Sequence, residues 1–254
     1  MLSVLVTGAS RGIGRAIAIE LADRGHRVIA TARNVRNLSD LDVDRTLPLD
    51  VTDQASVDAA ISLAGEVDVL VSNAGETWRS PVESVPLTEV ERLFRLNALG
   101  ALRVTQAIVP SMRRRRSGRL VYVSSIVGRV PVPMLSAYAA SKWALEAIAE
   151  TLAIEVAGFG IAVSILEPGA VATTSSATAA PAVADDDPYR ELLRSLAALR
   201  ERPIPTSDVA RAVADAVIEP NPRLRIPVGE SARAVLARRD ASPYDQLFSA
   251  ATGV

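Results

Sequence analysis

Apolar and polar positions come in blocks along the chain, and the block period switches repeatedly between that of a strand and that of a helix. LSVLV (Leu2–Val6) is a short unbroken apolar run, which predicts a strand buried on both faces. A glycine-rich turn, Thr7–Gly14, follows, and then RAIAIELADRG, a helical pattern stopped by Gly25. RVIATAR predicts the second strand and TLPLD (Thr46–Asp50) the third. DQASVDAAISLAG predicts a helix capped at Thr52 or Asp53, and VDVLVSNAG a fourth strand that runs out into Asn73-Ala74-Gly75. PLTEVERLFRLNALGALRVTQAIVPSMRRRR keeps helical periodicity through Asn97. LVYVS is another buried strand, with Ser125 just after it, and AASKWALEAIAETLAIEV reads as a long helix. GIAVSILEPG predicts the sixth strand. YRELLRSLAALRE predicts a helix with Leu192, Leu193 and Leu196 inward, and TSDVARAVADAVIEP one capped by Thr206 or Ser207. LRIPVG is the seventh strand, and one more short helix is expected in the tail from Glu230. Strands alternating with helices, without repeat or domain boundary, predict a single α/β domain: a doubly wound parallel sheet of about seven strands flanked by helices.

Composition narrows the function. The 254 residues, 49% apolar, suffice for one sizeable core, and the net charge of −1 argues against a nucleic-acid partner. The absence of Cys excludes disulfides, thiolate metal sites and a Cys nucleophile, and no metal is expected. The single His, His26, lies in DRGHRV and is expected to be a solvated turn residue, which leaves no His-based triad. The four arginines Arg113–Arg116 fall in a last helical turn, where they suit the helix dipole. Met1 leads straight into a strand, so no cleavable signal is expected. The longest charge-free run, Pro168–Ala184, is rich in Ala, Ser, Thr and Pro and is no membrane span. A cytoplasmic protein with no membrane partner is the expectation.

Strand, glycine turn, helix and strand within about thirty residues form a βαβ unit, the setting in which a glycine turn binds a dinucleotide and the whole fold is Rossmann-type. The glycines are spaced G-x-x-x-G-x-G, and the physics is that of any such turn: a tight backbone approaches a pyrophosphate whose charge the helix N-terminus attracts. A free ribose 2′-hydroxyl is usually met by an acid at the end of the second strand. Here that position reads Thr31-Ala32-Arg33, with no acid, and Arg33 together with Arg11 of the loop suits a 2′-phosphate. NADP(H) is therefore the preferred cofactor, with NAD(H) possible.

Tyr138 and Lys142 are four positions apart and share one helical face. A free phenol has a pKa near 10, and a cation beside it favours the phenolate. A drop of roughly three units needs about 4 kcal/mol of differential stabilisation. Ser125, at the carboxyl end of a strand, is placed to hydrogen-bond a reacting carbonyl. Alone, these residues also fit a Ser closing a strand and an idle pair on a helix surface. The segment after Ser125 is nearly apolar, with Ile126, Val127 and Val130–Leu135 interrupted by Arg129. With Trp78 and the leucines near 192 on the other sides, it suits an apolar ketone or alcohol, or else it packs into the core. The loop from Ala170 to Pro188 is long enough to be a lid, part of a lid region around 170–200.

Taken together, these motifs resemble the classical short-chain dehydrogenase/reductases over nearly the full length, in the branch acting on steroids, retinoids and other apolar carbonyls. The resemblance implies that Gly8, Ser10, Arg11, Gly12, Ile13 and Gly14 form the cofactor loop and that Asp50 and Val51 meet the adenine. It implies that Asn73, Ala74 and Gly75 line the cofactor and that Pro168, Gly169, Val171 and Thr173, from P-G-x-x-x-T, hold the nicotinamide end. Asn97, Ser125, Tyr138 and Lys142 match the catalytic tetrad. In that family Tyr138 would transfer the proton, Lys142 would lower its pKa and bind the ribose, Ser125 would polarise the carbonyl, and Asn97 would hold a relay water. A homodimer or homotetramer is implied, paired through the helices around Asn97–Arg116 and Tyr138–Ala157. The alternatives are a ketoacyl-type reductase, against which Ile226-Pro227-Val228-Gly229 and a further tail stand where a Gly-Gly pair is usual, and a redox sensor without turnover.

Overall fold

The computed structural model describes residues 1–173, 187–198 and 203–244, with Gln246 and Phe248. The apolar runs all become strands: β1 (Ser3–Val6), β2 (Arg27–Ala32), β3 (Arg45–Pro48), β4 (Val69–Ser72), β5 (Gly118–Val123), β6 (Ile161–Pro168) and β7 (Arg225–Val228). They make one parallel sheet of seven strands in the order β3-β2-β1-β4-β5-β6-β7. Val4 lies between Val28 and Val69, and Leu120 between Leu70 and Val163, so each strand offers apolar side chains to both faces. On one face Val4, Val6, Val28 and Val121 pack with Ile17, Leu21, Val209 and Val213. On the other, Leu5, Ile29, Leu70, Leu120 and Ile165 meet Val57, Val104, Ile108 and Leu145. Because winding reverses between β1 and β4, a crevice opens there at the carboxyl ends of the strands.

The flanking helices are α1 (Gly12–Asp23), α2 (Gln54–Ala64), α3 (Leu87–Leu93), α4 (Gly100–Arg115), α5 (Ser136–Val156), α6 (Arg190–Ala198), α7 (Thr206–Ile218) and α8 (Glu230–Asp240). Of the two expected caps on α2, Asp53 does the work, accepting from the Ala55 N–H. α7 departs from expectation: its cap is Pro205, whose side chain bonds nothing, and Thr206 is already inside the helix. Proline fixes φ where a helix begins, so the start needs no hydroxyl. Between α3 and α4 the chain stays helical but widens into a π turn, Phe94–Leu99. His26 is half-buried rather than solvated: its Nδ1 accepts from the Leu2 N–H at 3.4 Å, and burial lowers its pKa. In the arginine run, Arg113 and Arg114 are exposed, whereas Arg115 pairs with Glu66 and Arg116 donates to the Gly158 carbonyl. Phe248, in the tail, packs on Val130 and Leu236. Among the described residues no helix is long and apolar enough to cross a membrane.

Under the apolar layers lies a charged cluster assembled from distant parts of the chain. Glu146 of α5 and Glu167 of β6 are buried. Arg225 of β7 donates to Glu146, to Glu167 at 3.2 Å and to Glu150 at 2.7 Å. Arg129 pairs with Glu167 at 3.6 Å and with Asp240 of α8. Burial, reinforced by the Glu146 charge, pushes the Glu167 carboxyl up to about 7, against the pull of both arginines. A carboxyl raised in the folded state binds its proton there while the unfolded chain has lost it. Its stabilisation is therefore complete below the unfolded value and disappears as pH climbs toward 7. Between about pH 4.5 and 7, wild type should lose stability relative to Glu167→Gln by at most about 1.4 kcal/mol per pH unit. Urea denaturation of both proteins at half-unit pH steps checks this, and parallel curves would remove Glu167 as the titrating group.

Candidate active site

The glycine turn is pinned by the strand next to it. Thr7, at the end of β1, accepts on its hydroxyl from the Asn73 N–H at 2.9 Å and the Ala74 N–H at 3.0 Å. The Asn73 amide donates back to the Thr7 carbonyl at 2.9 Å and the Gly8 carbonyl at 3.3 Å. Gly8 has a φ of +70°, and a Cβ there would lie 2.9 Å from Ala74 Cα. A Cβ on Gly14 would collide with the Asn73 amide and the Gly8 carbonyl, so the loop and the end of β4 interlock only because both positions are glycine.

This loop fits a dinucleotide. α1 starts with Arg11, which makes no side-chain cap, and its first turn holds no acid, so its N–H groups face the cleft without a competing anion. Asp50 is fixed by the Thr52 N–H at 2.9 Å and hydroxyl at 2.7 Å; burial opposes its ionisation, yet these bonds and nearby Arg33 and Arg95 hold its pKa below the ordinary value. Beyond β6, Gly169 donates to Val228 at 3.3 Å, and residues 170–172 run beside Ile204. Thr173 thereby comes across the loop to Gly12. Arg33 ends β2 exposed, 3.4 Å from Glu76.

The residues of the second half converge at the end of β5. Lys142 is buried, and its Nζ donates to the Val123 carbonyl at 2.8 Å and stands 5.9 Å from the centroid of the Tyr138 ring. The Ser125 hydroxyl is within hydrogen-bonding reach of the phenol and of the Pro168 carbonyl, the latter at 3.4 Å. The π turn drives Asn97 inward, where it is 1% exposed. Its Oδ1 accepts from the Glu76 N–H, and its amide donates to the Glu76 carbonyl and the Ser141 hydroxyl, all at 2.9 Å. Ser141 in turn donates to the Tyr138 carbonyl at 2.7 Å. The Asn97 side chain therefore brackets the exit of β4 to the start of α5.

The expected balance at the pair is reversed by burial. Loss of water pushes the Tyr138 phenol up to about 12, and the Ser125 hydrogen bond only partly offsets this. The same loss pulls Lys142 down to about 8, with the Glu146 charge opposing it. At neutral pH the site thus holds a protonated phenol beside an ammonium.

One cleft of about 400 Å³ runs from the glycine loop to Tyr138, and every residue that the resemblance assigns to the cofactor or the tetrad lines it except the bracketing Asn97. At the Tyr138 end Ile126, Val127, Val132 and Leu135 face it. Val130 and Met134 do not: Val130 packs under Phe248, and Met134 is buried with a φ of +69° while its carbonyl takes the Ser80 N–H. Trp78 does not line the cleft, whereas its neighbours Thr77 and Arg79 do, so the wall is apolar on one side only. Backbone alternation after the glycine turn decides which of the three faces inward, and the sequence carries no sign of it. Leu192 and Leu193 are half-buried away from the cleft. Residues 174–186 of the expected lid and the side chain of Leu196 lie outside the described residues. Glu76 was not anticipated; only its place just after Asn73-Ala74-Gly75 marks it.

Comparison with known proteins shows the family. The family model for short chain dehydrogenases matches residues 3–183. The chain is 36% identical to Oxidoreductase BOA17 of Botryotinia fuckeliana (strain B05.10), over 89% of this chain and 88% of that protein. It is 40% identical to Retinol dehydrogenase 8 of Homo sapiens over 67% of this chain, but spans only 59% of that protein's length. A crystal structure of a short chain dehydrogenase from Burkholderia cenocepacia J2315 in complex with NADP superposes with a TM-score of 0.81 at 25% identity, covering 95% of this chain and 93% of that one. The chain belongs to the short-chain dehydrogenase family and is one of its oxidoreductases.

Proposed function

We propose that the protein is an NADP(H)-dependent reductase of apolar ketones and aldehydes, and a dehydrogenase of the corresponding secondary alcohols. The observation that carries the reading is the convergence of Ser125, Tyr138 and Lys142 at one end of the cleft whose other end is the glycine loop. The dinucleotide, when bound, supplies or accepts the hydride. Ser125 orients the carbonyl by hydrogen bonding, and the Tyr138 O–H gives its proton to the carbonyl oxygen as charge builds there. Lys142 holds positive charge beside the phenol and binds the ribose. Asn97, through its hold on Ser141 and the exit of β4, keeps the groups in register and lies on the relay toward solvent. A phenol that keeps its proton at neutral pH suits the direction of carbonyl reduction.

NADP(H) preference is supported by Arg33 at the end of β2, with no acid at Ala32, and by the NADP held by the Burkholderia relative. Apolar substrates are supported by the wall of Ile126, Val127, Val132 and Leu135 and by the 40% identity to a retinol dehydrogenase. Assembly as a homodimer or homotetramer is supported by exposed Leu99, Trp143 and Ile154 beside α4 and on α5, 42%, 43% and 78% exposed; a cytoplasmic location belongs to the same reading.

Three measurements test this. NADPH oxidation followed at 340 nm with a panel of ketones should give higher kcat/KM for bulky apolar carbonyls than for small oxo acids, and binding of NADPH at least about tenfold tighter than NADH. Oxo acids as the best substrates, or equal affinity for the two cofactors, would sink the corresponding half of the proposal. Tyr138→Phe keeps the ring but removes the proton, and turnover should fall at least about a hundredfold with cofactor affinity little changed. Near-normal turnover would refute the role. Light scattering should give a mass of two or four chains, and replacing Ile154 with Glu should lower it; a wild-type monomer would count against the assembly.

A further inference from the structure

Glu146 has no part in the reaction described so far, yet it is 3% exposed one helical turn beyond Lys142. Tyr138, Lys142, Glu146 and Glu150 follow one another at i, i+4 along α5, so they form one stripe that leaves the cleft and enters the charged cluster beneath it. The Lys142 ammonium brings three N–H groups into a buried place, and the acceptor it finds is the Val123 carbonyl. Tyr138, on its own helix, carries no charge at neutral pH. The bracket at Asn97 and the end of β5 offer it only neutral groups. Among the described residues, Glu146 is the side chain whose charge favours the ammonium.

Glu146 itself is fixed from three elements. Arg225 of β7 donates to its Oε2, Glu150 on α5 shares that arginine, and Glu167 of β6 lies alongside. Behind Glu167 stand Arg129 and Asp240. The second oxygen, Oε1, has no hydrogen-bond partner among the described residues. It lies against Gly128, where a Cβ would come within 3.0 Å of it. Glu167 is a poor substitute: two arginines flank it, and burial leaves it partly protonated at neutral pH.

We propose that Glu146, fixed by Arg225, is a positioning residue that keeps the buried Lys142 an ammonium. The proposal gives the reductase reading above its charged lysine, but it can be tested without turnover. Lys142 is the only lysine in the chain, so protein labelled with [ε-13C]lysine gives a single lysine side-chain signal, which can be titrated directly. The wild-type midpoint is expected near 8. In Glu146→Gln the lysine should hold its proton about tenfold less tightly, and in Glu155→Gln, exposed on the same helix, almost unchanged. The alkaline loss of reductase activity should move by the same amount as the signal, which a merely structural role would not produce. If near-UV circular dichroism shows that Glu146→Gln does not fold, Glu146→Asp, which keeps the charge but withdraws it by one methylene, should move the midpoint the same way by less. A midpoint unmoved in the folded variant overturns the proposal, even where turnover falls. A midpoint that moves while wild type reduces no carbonyl supports it and discards the reductase reading alone.

Discussion

The bond from Lys142 to the Val123 carbonyl, at 2.8 Å, ties α5 to the last residue of β5, and the Tyr138 half of the cleft depends on it. The lysine stem is buried, so its head has little freedom to leave that carbonyl. Tyr138 lies one turn earlier on the same face, and Ser125 lies two residues beyond Val123 on the same strand exit. Fixing one end of the pair therefore fixes the other: a helix and the exit of a strand present phenol and hydroxyl to each other. Placement on rigid elements is what proton transfer requires, since a misplacement of about 1 Å costs about a hundredfold in rate.

The opposite wall is anchored by the same strands. Thr7 joins the glycine loop to the exit of β4 with one hydroxyl that accepts two amides. β4 pairs directly with β5, Val71 beside Val121, so both walls are referred to adjacent strands in the middle of the sheet. Asn97 adds a third tie, from the exit of β4 to α5. The span across the cleft is thus set by sheet geometry, while the outer face, where Arg33 and Arg79 reach the cleft, is built from long side chains on loops.

Much of this was legible because it is written in short-range pattern. Buried parallel strands are continuous apolar runs, a helix puts Tyr138 and Lys142 on one face whatever surrounds it, and a glycine turn between strand and helix has few other uses. What could not be read depends on groups far apart in sequence. Trp78 and Val130 look like pocket walls until backbone alternation and the Phe248 tail turn them elsewhere. The inward place of Asn97 follows from one wide turn in an otherwise uninterrupted helical pattern. Glu146 and Glu150 look like the solvated charges of an Ala-rich helix, and only the arrival of Arg225 from the last strand shows that Glu146 is buried. The direction of the Tyr138 shift departs from expectation for the same reason: a neighbouring cation is visible in sequence, but the desolvation that dominates the shift is not.

That desolvation links the charged cluster to the chemistry. Removing carboxylates and ammonium groups from water costs several kcal/mol each, and apolar residues of the same size often make a more stable core. Glu146, Glu167 and Lys142 are nevertheless all buried on or beside the same stretch of sheet. The low polarity that makes them expensive also makes their mutual interaction strong and nearly independent of salt. In water, a carboxylate one turn from a lysine would alter its proton affinity only slightly; here the same spacing acts with little screening. Burial acts on Tyr138 and Lys142 in opposite senses, keeping the phenol protonated and loosening the proton on the amine, and the Glu146 charge opposes the second without undoing the first. A site built this way holds a neutral phenol and a cation side by side, the pair of states that the proposed reduction would use to deliver a proton to a carbonyl oxygen as it gains negative charge.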